Sequence, residues 1–158
     1  MAKRPYLPRE QQLLTEWLAI HHQGDLTMTR FRLGVLEDPP PGSSNYAQRQ
    51  AMLTRWRRWA DAVVVEADRL LVVEAKIIPD VGVIAQLQLY LKLVPKTPEL
   101  TPYLNRQIVG VLVTAADNPE LNAMAAEAGF EAHIYHPAWV DDYLQTLSAR
   151  QGRTPTLT

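Results

Sequence analysis

Two short runs constrain this fold more than anything else in the sequence: residues 59–66 (WADAVVVE) and residues 70–77 (LLVVEAKI). Both are rich in β-branched and aliphatic side chains, both have strand length, and only Ala67, Asp68 and Arg69 separate them. That pattern predicts a β-hairpin. The runs also carry charges where burial is expected. Glu74 and Lys76 are two residues apart, so on a strand they share a face, roughly 6.6 Å apart along the chain. Asp61 opens the preceding run, and hairpin pairing brings its carboxylate toward Glu74. Val63, Val65, Val72 and Ile78 in the same runs give that face an apolar setting, which leaves little room for three idle charges.

The rest of the chain alternates helices and strands around this hairpin. Leu13, Leu14, Trp17, Leu18 and Ile20 recur at helical spacing and predict a first helix over residues 8–22, ended by Gly24-Asp25. A strand is expected over 27–36, with Met28, Phe31, Leu33 and Val35 as its apolar members. The PPPGSSN run at 39–45 breaks regular structure, and Asn45 caps a short helix reaching about Arg55. Ile84, Leu87, Leu91 and Val94 form one stripe of a helix over 81–94, stopped by Pro95. QIVGVLVT (107–114) is apolar enough to be a buried strand. A helix over 120–128 opened by Asn118-Pro119 and ended by Gly129, a short strand at 131–135 and a closing helix at 137–149 complete the order. The expectation is an α/β fold, a mixed sheet flanked by helices, with the site at one edge of the sheet. All 158 residues form one domain, with its core over about 8–136, the closing helix at 137–149 and a polar tail at 150–158.

Composition narrows the functional classes. A 17.9 kDa chain buries roughly 68–70% of its unfolded surface and needs no staples. The absence of cysteine removes disulfides, thiolate zinc sites and iron–sulfur clusters. The net charge of −1 argues against a polybasic nucleic-acid coat. The charge is unevenly spread, however. Residues 107–149 contain no Lys or Arg but six acidic residues, whereas residues 1–106 hold 14 basic and 11 acidic groups. A polyanion is therefore expected at the first two-thirds, and a protein partner or a second copy of the chain at the acidic third. No apolar run has the length of a membrane span, and the opening MAKRPYLPRE lacks a signal-peptide core. A cytoplasmic protein without a membrane partner is expected.

Two carboxylates and an ammonium converging at a sheet end are what metal-assisted phosphodiester hydrolysis requires. Carboxylates offer hard oxygen ligands to Mg²⁺ or Mn²⁺, and a lysine orients water or stabilises developing charge. With Asp61, with Glu74-Ala75-Lys76 as a (D/E)xK, and with Gln86 and Tyr90 as a QxxxY on the next helix, the chain resembles the PD-(D/E)xK nuclease superfamily and its RecB-like exonuclease branch. The resemblance spans about residues 8–114. It implies a restriction-endonuclease-like fold and a Mg²⁺-dependent nuclease acting on DNA. It further implies metal ligation by Asp61, Glu74 and the Ala75 carbonyl, a catalytic Lys76, and Gln86 and Tyr90 positioning the strand. The family often carries a metal-binding glutamate on its first helix; Glu16 is the candidate, with Glu10 as the alternative. A different outcome is also open: a nuclease-fold binding or structural subunit of a DNA-handling assembly, such as a phage packaging, virion or recombination complex. A phage-encoded protein of that kind would be virion-associated.

Other residues admit simpler readings. Arg49, Arg55, Arg57 and Arg58 precede Asp61 with no intervening acidic residue, and suit phosphate contacts. Trp56 and Trp59 among them serve equally as stacking platforms or as core. His21, His22, His133 and His136 read as structural, Glu66 and Asp68 as a solvated hairpin tip. Ser43 and Ser44 lack a triad context, and no glycine-rich phosphate loop exists.

Overall fold

The computed structural model describes residues 8–34 and 58–152. Its element order is α1 (Pro8–His21), β1 (Leu26–Leu33), β2 (Arg58–Val65), β3 (Arg69–Lys76), α2 (Gly82–Leu93), two 3₁₀ turns (Val94–Lys96 and Pro98–Tyr103), β4 (Gln107–Thr114), α3 (Pro119–Glu127), β5 (Glu131–Ile134) and α4 (Trp139–Gln151). The five strands form one sheet in the order β1-β2-β3-β4-β5. The first three are antiparallel, while β3, β4 and β5 run parallel. Antiparallel neighbours need only tight turns, whereas the parallel ones need crossovers, supplied by α2 and α3. The result is an α/β protein with a mixed sheet flanked by helices.

Side-chain alternation sorts the core into layers. Val63, Leu70, Val72 and Leu112 pack with Val83, Ile84, Leu87 and Tyr90 of α2 and with Leu121 and Ala125 of α3. Ala62, Val64, Leu71, Val73 and Val111 face the other way, onto Leu14, Trp17 and Leu18 of α1. Leu13, Ile77, Ala115 and Val140 join α1 to α4 in a third cluster. β3 and β4 are covered on both faces, which is why their sequences are nearly continuous apolar runs.

Local signals end the helices where expected. Gly24 (φ 86°) follows α1 and Gly129 (φ 79°) follows α3, both in the left-handed region that glycine enters without penalty. The Asn118 side chain caps α3 by accepting from the Leu121 N–H at 3.1 Å. The strand expected over 27–36 ends at Leu33, because Gly34 turns the chain at φ 93° and donates its N–H to Thr97 Oγ1 at 2.8 Å. The expected helix from Asn45, the loop at 39–45 and residues Arg49, Arg55, Trp56 and Arg57 lie outside the described residues.

One break in alternation matters for the site. Met28 and Phe31, three apart on β1, both pack on the α2-side cluster. On β2, Ala60 belongs to that cluster and Ala62 to the opposite one. The break sits where Arg30 takes φ 50°, between the pairs Phe31↔Ala60 and Thr29↔Ala62, and this is the level of Asp61. A left-handed non-glycine residue costs on the order of 1–3 kcal/mol, and such backbone positions cluster at functional sites.

Close packing elsewhere yields a first prediction. A Cβ at Gly110 would lie 2.7 Å from Cδ1 of Phe130, a ring only 7% exposed. Gly110→Ala is expected to destabilise the protein by about 1–3 kcal/mol through overpacking, read as a lowered midpoint in denaturant unfolding with an unchanged slope.

Candidate active site

The acidic and basic residues of the hairpin meet at the C-terminal end of β3. This strand is central in the sheet, so the expectation of a site at the sheet edge is corrected: the charges sit at a strand end, where apolar layers stop, rather than along an edge strand. The β2–β3 register extends only to Ala62↔Val73. One step further would set Asp61 opposite Glu74, but there the two strands part. Asp61 bridges the gap with its side chain, Oδ2 accepting the Ala75 N–H at 3.0 Å. The carboxylate thereby takes over a hydrogen bond that the partner strand's backbone no longer supplies.

Glu74 is fully buried, and a buried carboxylate needs both a cation and donors. Lys76 Nζ lies 3.4 Å from its Oε1, and Gln86 Nε2 donates to the same oxygen at 2.9 Å. Gln86 and Tyr90 are one turn apart on α2, with Gln86 Nε2 also 2.7 Å from the Tyr90 hydroxyl. That hydroxyl donates to the Trp59 carbonyl at 2.8 Å. A continuous chain of hydrogen bonds therefore ties β3 to α2 and α2 back to β2, two residues before Asp61. The structure brings together Asp61, Glu74, Lys76, Gln86 and Tyr90, all five residues of the motif. Ala75 lies between Glu74 and Lys76 and belongs to the α1-side core. Ile78 is 66% exposed beyond the strand end, whereas Val63, Val65 and Val72 pack in the α2-side cluster as expected.

On the first helix the two glutamates part company. Glu10 reaches the site: its Oε2 is 4.0 Å from Lys76 Nζ, and its Oε1 accepts the Ile77 N–H at 3.4 Å. Glu16 turns to α4 and the end of β5, accepting from Trp139 Nε1 at 3.0 Å and the Tyr135 hydroxyl at 3.1 Å. The separation follows from helix geometry, since six residues advance about 9 Å and rotate well past half a turn. Glu10, rather than Glu16, is the first-helix acid beside the motif.

Glu16 supports the fold instead. The Trp139 hydrogen bond, with smaller contributions from Gln12 and Tyr135, holds its carboxyl below the ordinary value of 4.5, against the upward push of burial. A lowered folded-state pKa stabilises the protein above the unfolded value, and that contribution is lost as pH falls through the folded one. Glu16→Gln is therefore expected to flatten the decline of the thermal midpoint below about pH 4.5, measured against the parent chain at matched pH values.

The histidines serve structure. The rings of His21, His22 and His133 surround Trp17 at 4.9–5.4 Å between centroids. His22 pairs with Asp25 and His133 with Glu131, each at 3.1 Å. Glu66, expected to be solvated, is bound by Arg69 at 2.8 Å, and Arg69 also holds Glu131 at 2.6 Å. A cavity of about 220 Å³ opens among these groups. It lies on the α1 face at the start of β3, roughly 23 Å along the strand from Lys76, and its charges are paired with one another.

Near Asp61, Arg58 begins β2 and is partly buried. Arg32 is a residue that reading the sequence missed: its guanidinium carbon lies 4.3 Å over the Trp59 ring. In sequence it is simply a basic residue in an alternating strand, and only the β1–β2 register, Arg32↔Trp59, reveals the pair.

The donors at the motif are hard oxygens: two carboxylates on neighbouring strands, with the Ala75 main chain between them. That suits Mg²⁺, which keeps several waters and is commonly bound through one or two carboxylates plus substrate phosphate. Among the described residues no group of three or more His, Cys, Asp or Glu gathers at metal-binding distance.

The elements and the site define an α/β protein with a carboxylate–lysine constellation at the end of its central strand. No family model and no curated protein sequence matches the chain. Among solved structures, a repair endonuclease from Pyrococcus abyssi aligns with a TM-score of 0.46 and 14% identity, over 87% of this chain and 50% of that one. EndoMS in its apo form aligns with a TM-score of 0.44 and 12% identity, over 87% and 49%. The chain thus spans about half the length of both. Among the described residues no helix is long and apolar enough to cross a membrane.

Proposed function

We propose that this chain is a metal-dependent nuclease of the PD-(D/E)xK type, with the restriction-endonuclease-like fold, hydrolysing phosphodiester bonds in DNA. The observation that carries the reading is the fully buried Glu74, held by Lys76 and Gln86 one strand away from Asp61. Burying a carboxylate at a strand end is costly, and an apolar residue there would serve packing better.

In this reading Asp61 and Glu74, with the Ala75 carbonyl, hold Mg²⁺ or Mn²⁺. When bound, the metal lowers the pKa of water and neutralises phosphate charge. Lys76 holds its ammonium where water and the scissile phosphate meet, and Glu10, 4.0 Å away, steadies that ammonium together with Glu74. Gln86 orients Glu74, and Tyr90 fixes Gln86 against the β2 backbone. Arg58 of the basic run 55–58 supplies phosphate contact at the entrance. The QxxxY chain supports the RecB-like branch in particular, because here Gln86 and Tyr90 brace the acidic residue itself.

The test is incubation of the purified chain with end-labelled linear and circular, single- and double-stranded DNA in Mg²⁺, Mn²⁺ or EDTA. Cleavage with metal and none with EDTA is expected; products on circular substrates would assign an endonuclease. Failure to cleave any substrate with either metal would refute the proposal. One observation favours a second reading, a nuclease-fold binding subunit of a larger DNA-handling assembly: Glu10 is engaged with Lys76 and the Ile77 N–H, and among the described residues no three acidic or histidine side chains gather as a metal-binding group. Such a subunit would bind DNA equally in EDTA and in Mg²⁺ and would tolerate Lys76→Ala.

A further inference from the structure

We infer that the outer edge of β5 is a docking site for an extended segment of another protein, one bearing lysine or arginine, which adds to the sheet as a further strand. The inference is independent of the nuclease reading. β5 (Glu131–Ile134) closes one side of the sheet, and no strand pairs with its outer edge among the described residues. The Tyr135 N–H donates to the Thr114 carbonyl at the end of β4 at 2.8 Å. Main-chain groups alternate sides along a strand, so His133 and Glu131 also face β4, while Ala132 and Ile134 turn their N–H and C=O outward. Both outward residues are exposed, Ile134 at 50%.

The two sides of the sheet are built differently. β1, at the far side, is guarded as natural edge strands are: Arg30 breaks its extended backbone at φ 50°, and Arg30 and Arg32 place charges along it. β5 reads EAHI, with no lysine, arginine, proline or glycine and no left-handed residue. Its protection is its shortness, which limits a partner to a few main-chain hydrogen bonds and leaves much of the affinity to the side chains around it.

Charge decides what that partner is. Residues 107–149 contain no Lys or Arg, and exposed carboxylates flank β5 in the chain, Glu120 and Glu127 on α3 before it and Asp141 and Asp142 on the first turn of α4 after it. Glu131 is satisfied by Arg69 and Asp141 by His136, whereas Glu120, Glu127 and Asp142 make no ion pair among the described residues. Such a face repels a polyanion, and it repels a second copy of β5, which would bring the same carboxylates to the shared edge. A segment with basic residues between apolar ones answers both features. Its backbone completes the edge, its apolar side chains cover Ile134, and its charges meet the unpaired carboxylates.

The test is fluorescence anisotropy of a labelled KVRVKV peptide, with two controls: an EVEVEV peptide, and KVRVKV N-methylated at every residue, which keeps the charges and removes the main-chain donors. The parent chain is expected to bind KVRVKV, more weakly as salt rises, and to bind neither control. Ile134→Pro removes an outward N–H and spares the bonds to β4, and should weaken binding about 10-fold. The double variant Glu120→Lys, Glu127→Lys leaves β5 untouched and should weaken it at least as much. Hydrogen exchange gives a readout that a purely structural strand would not move. The Ala132 and Ile134 amides should slow when KVRVKV is added, while those of His133 and Tyr135, already turned to β4, stay as they are. The exchange and charge-reversal results stand whether or not Ile134→Pro folds. No binding of KVRVKV by the parent chain, equal binding of its N-methylated form, or unchanged exchange at Ala132 and Ile134 would overturn the inference. Dimerisation of the parent chain that Ile134→Pro abolishes would overturn it as well, by assigning the edge to a second copy.

Discussion

Asp61→Asn is expected to reduce metal-dependent cleavage by at least about 10²–10³-fold, the range found when one preorganised electrostatic group is lost from an active site. The fold should survive. The asparagine carbonyl still accepts the Ala75 N–H that Asp61 Oδ2 accepts now, so the gap between β2 and β3 stays bridged while the negative charge is removed. Initial cleavage rates at saturating Mg²⁺, with thermal unfolding of the same samples, check both halves. Lys76→Ala should lose comparable activity and also stability, because it leaves the buried Glu74 carboxylate without the ammonium now 3.4 Å away. Activity retained in either variant at parental stability would remove these residues from the chemistry.

The second large effect is on stability. Trp17 is the largest fully buried side chain among the described residues, joining α1 to Leu71, Val73 and Val111 of the sheet and supporting three imidazoles. Trp17→Ala is expected to cost about 3–5 kcal/mol through lost burial and a residual cavity. Denaturant unfolding measures it. A cost below about 1 kcal/mol would mean that α1 repacks freely and does not anchor that face. Because α1 also carries Glu10, a loosened helix should lower activity as well, through the Glu10–Lys76 contact.

Much of this architecture was legible because β periodicity and turn residues act locally. The hairpin around Ala67-Asp68-Arg69, the α2 stripe ended near Pro95, and the capping of α3 by Asn118 all depend on neighbours within a few positions. The grouping of Asp61, Glu74 and Lys76 was readable for the same reason, since two short paired strands fix which side chains can meet. Gln86 and Tyr90 follow at one helical turn's spacing. What escaped depends on longer-range geometry. The choice between Glu10 and Glu16 turns on how α1 lies across the end of β3, which no pattern within the helix encodes. The Arg32–Trp59 pair needs the β1–β2 register across a 24-residue interval, and the alternation break at Arg30 is a backbone state that an arginine does not announce. Placing the site at a sheet edge was an error of topology: the parallel addition of β4 and β5 makes β3 central, and that order is set by the crossovers of α2 and α3.

The charges tolerate their buried surroundings because each has partners fixed on other elements. Glu74 is the one fully buried carboxylate among the described residues, and its partners come from two different elements, β3 itself and α2. Placing donors on separate rigid elements holds the group in one geometry before any substrate arrives, which is what electrostatic preorganisation requires. The same chain of bonds extends to the Trp59 main-chain carbonyl on β2, so the seating of α2 on β2 and the orientation of the carboxylate are set by one network.

The most direct test of the central claim is the initial rate of cleavage of end-labelled single- and double-stranded DNA as a function of Mg²⁺ concentration, for the parent chain and Asp61→Asn side by side. The rate in the parent chain should rise from zero in EDTA and saturate with Mg²⁺, and the variant should stay near background at every concentration. Equal rates in the two proteins, or cleavage that persists in EDTA, would contradict the assignment of Asp61 and Glu74 as the pair on which hydrolysis depends.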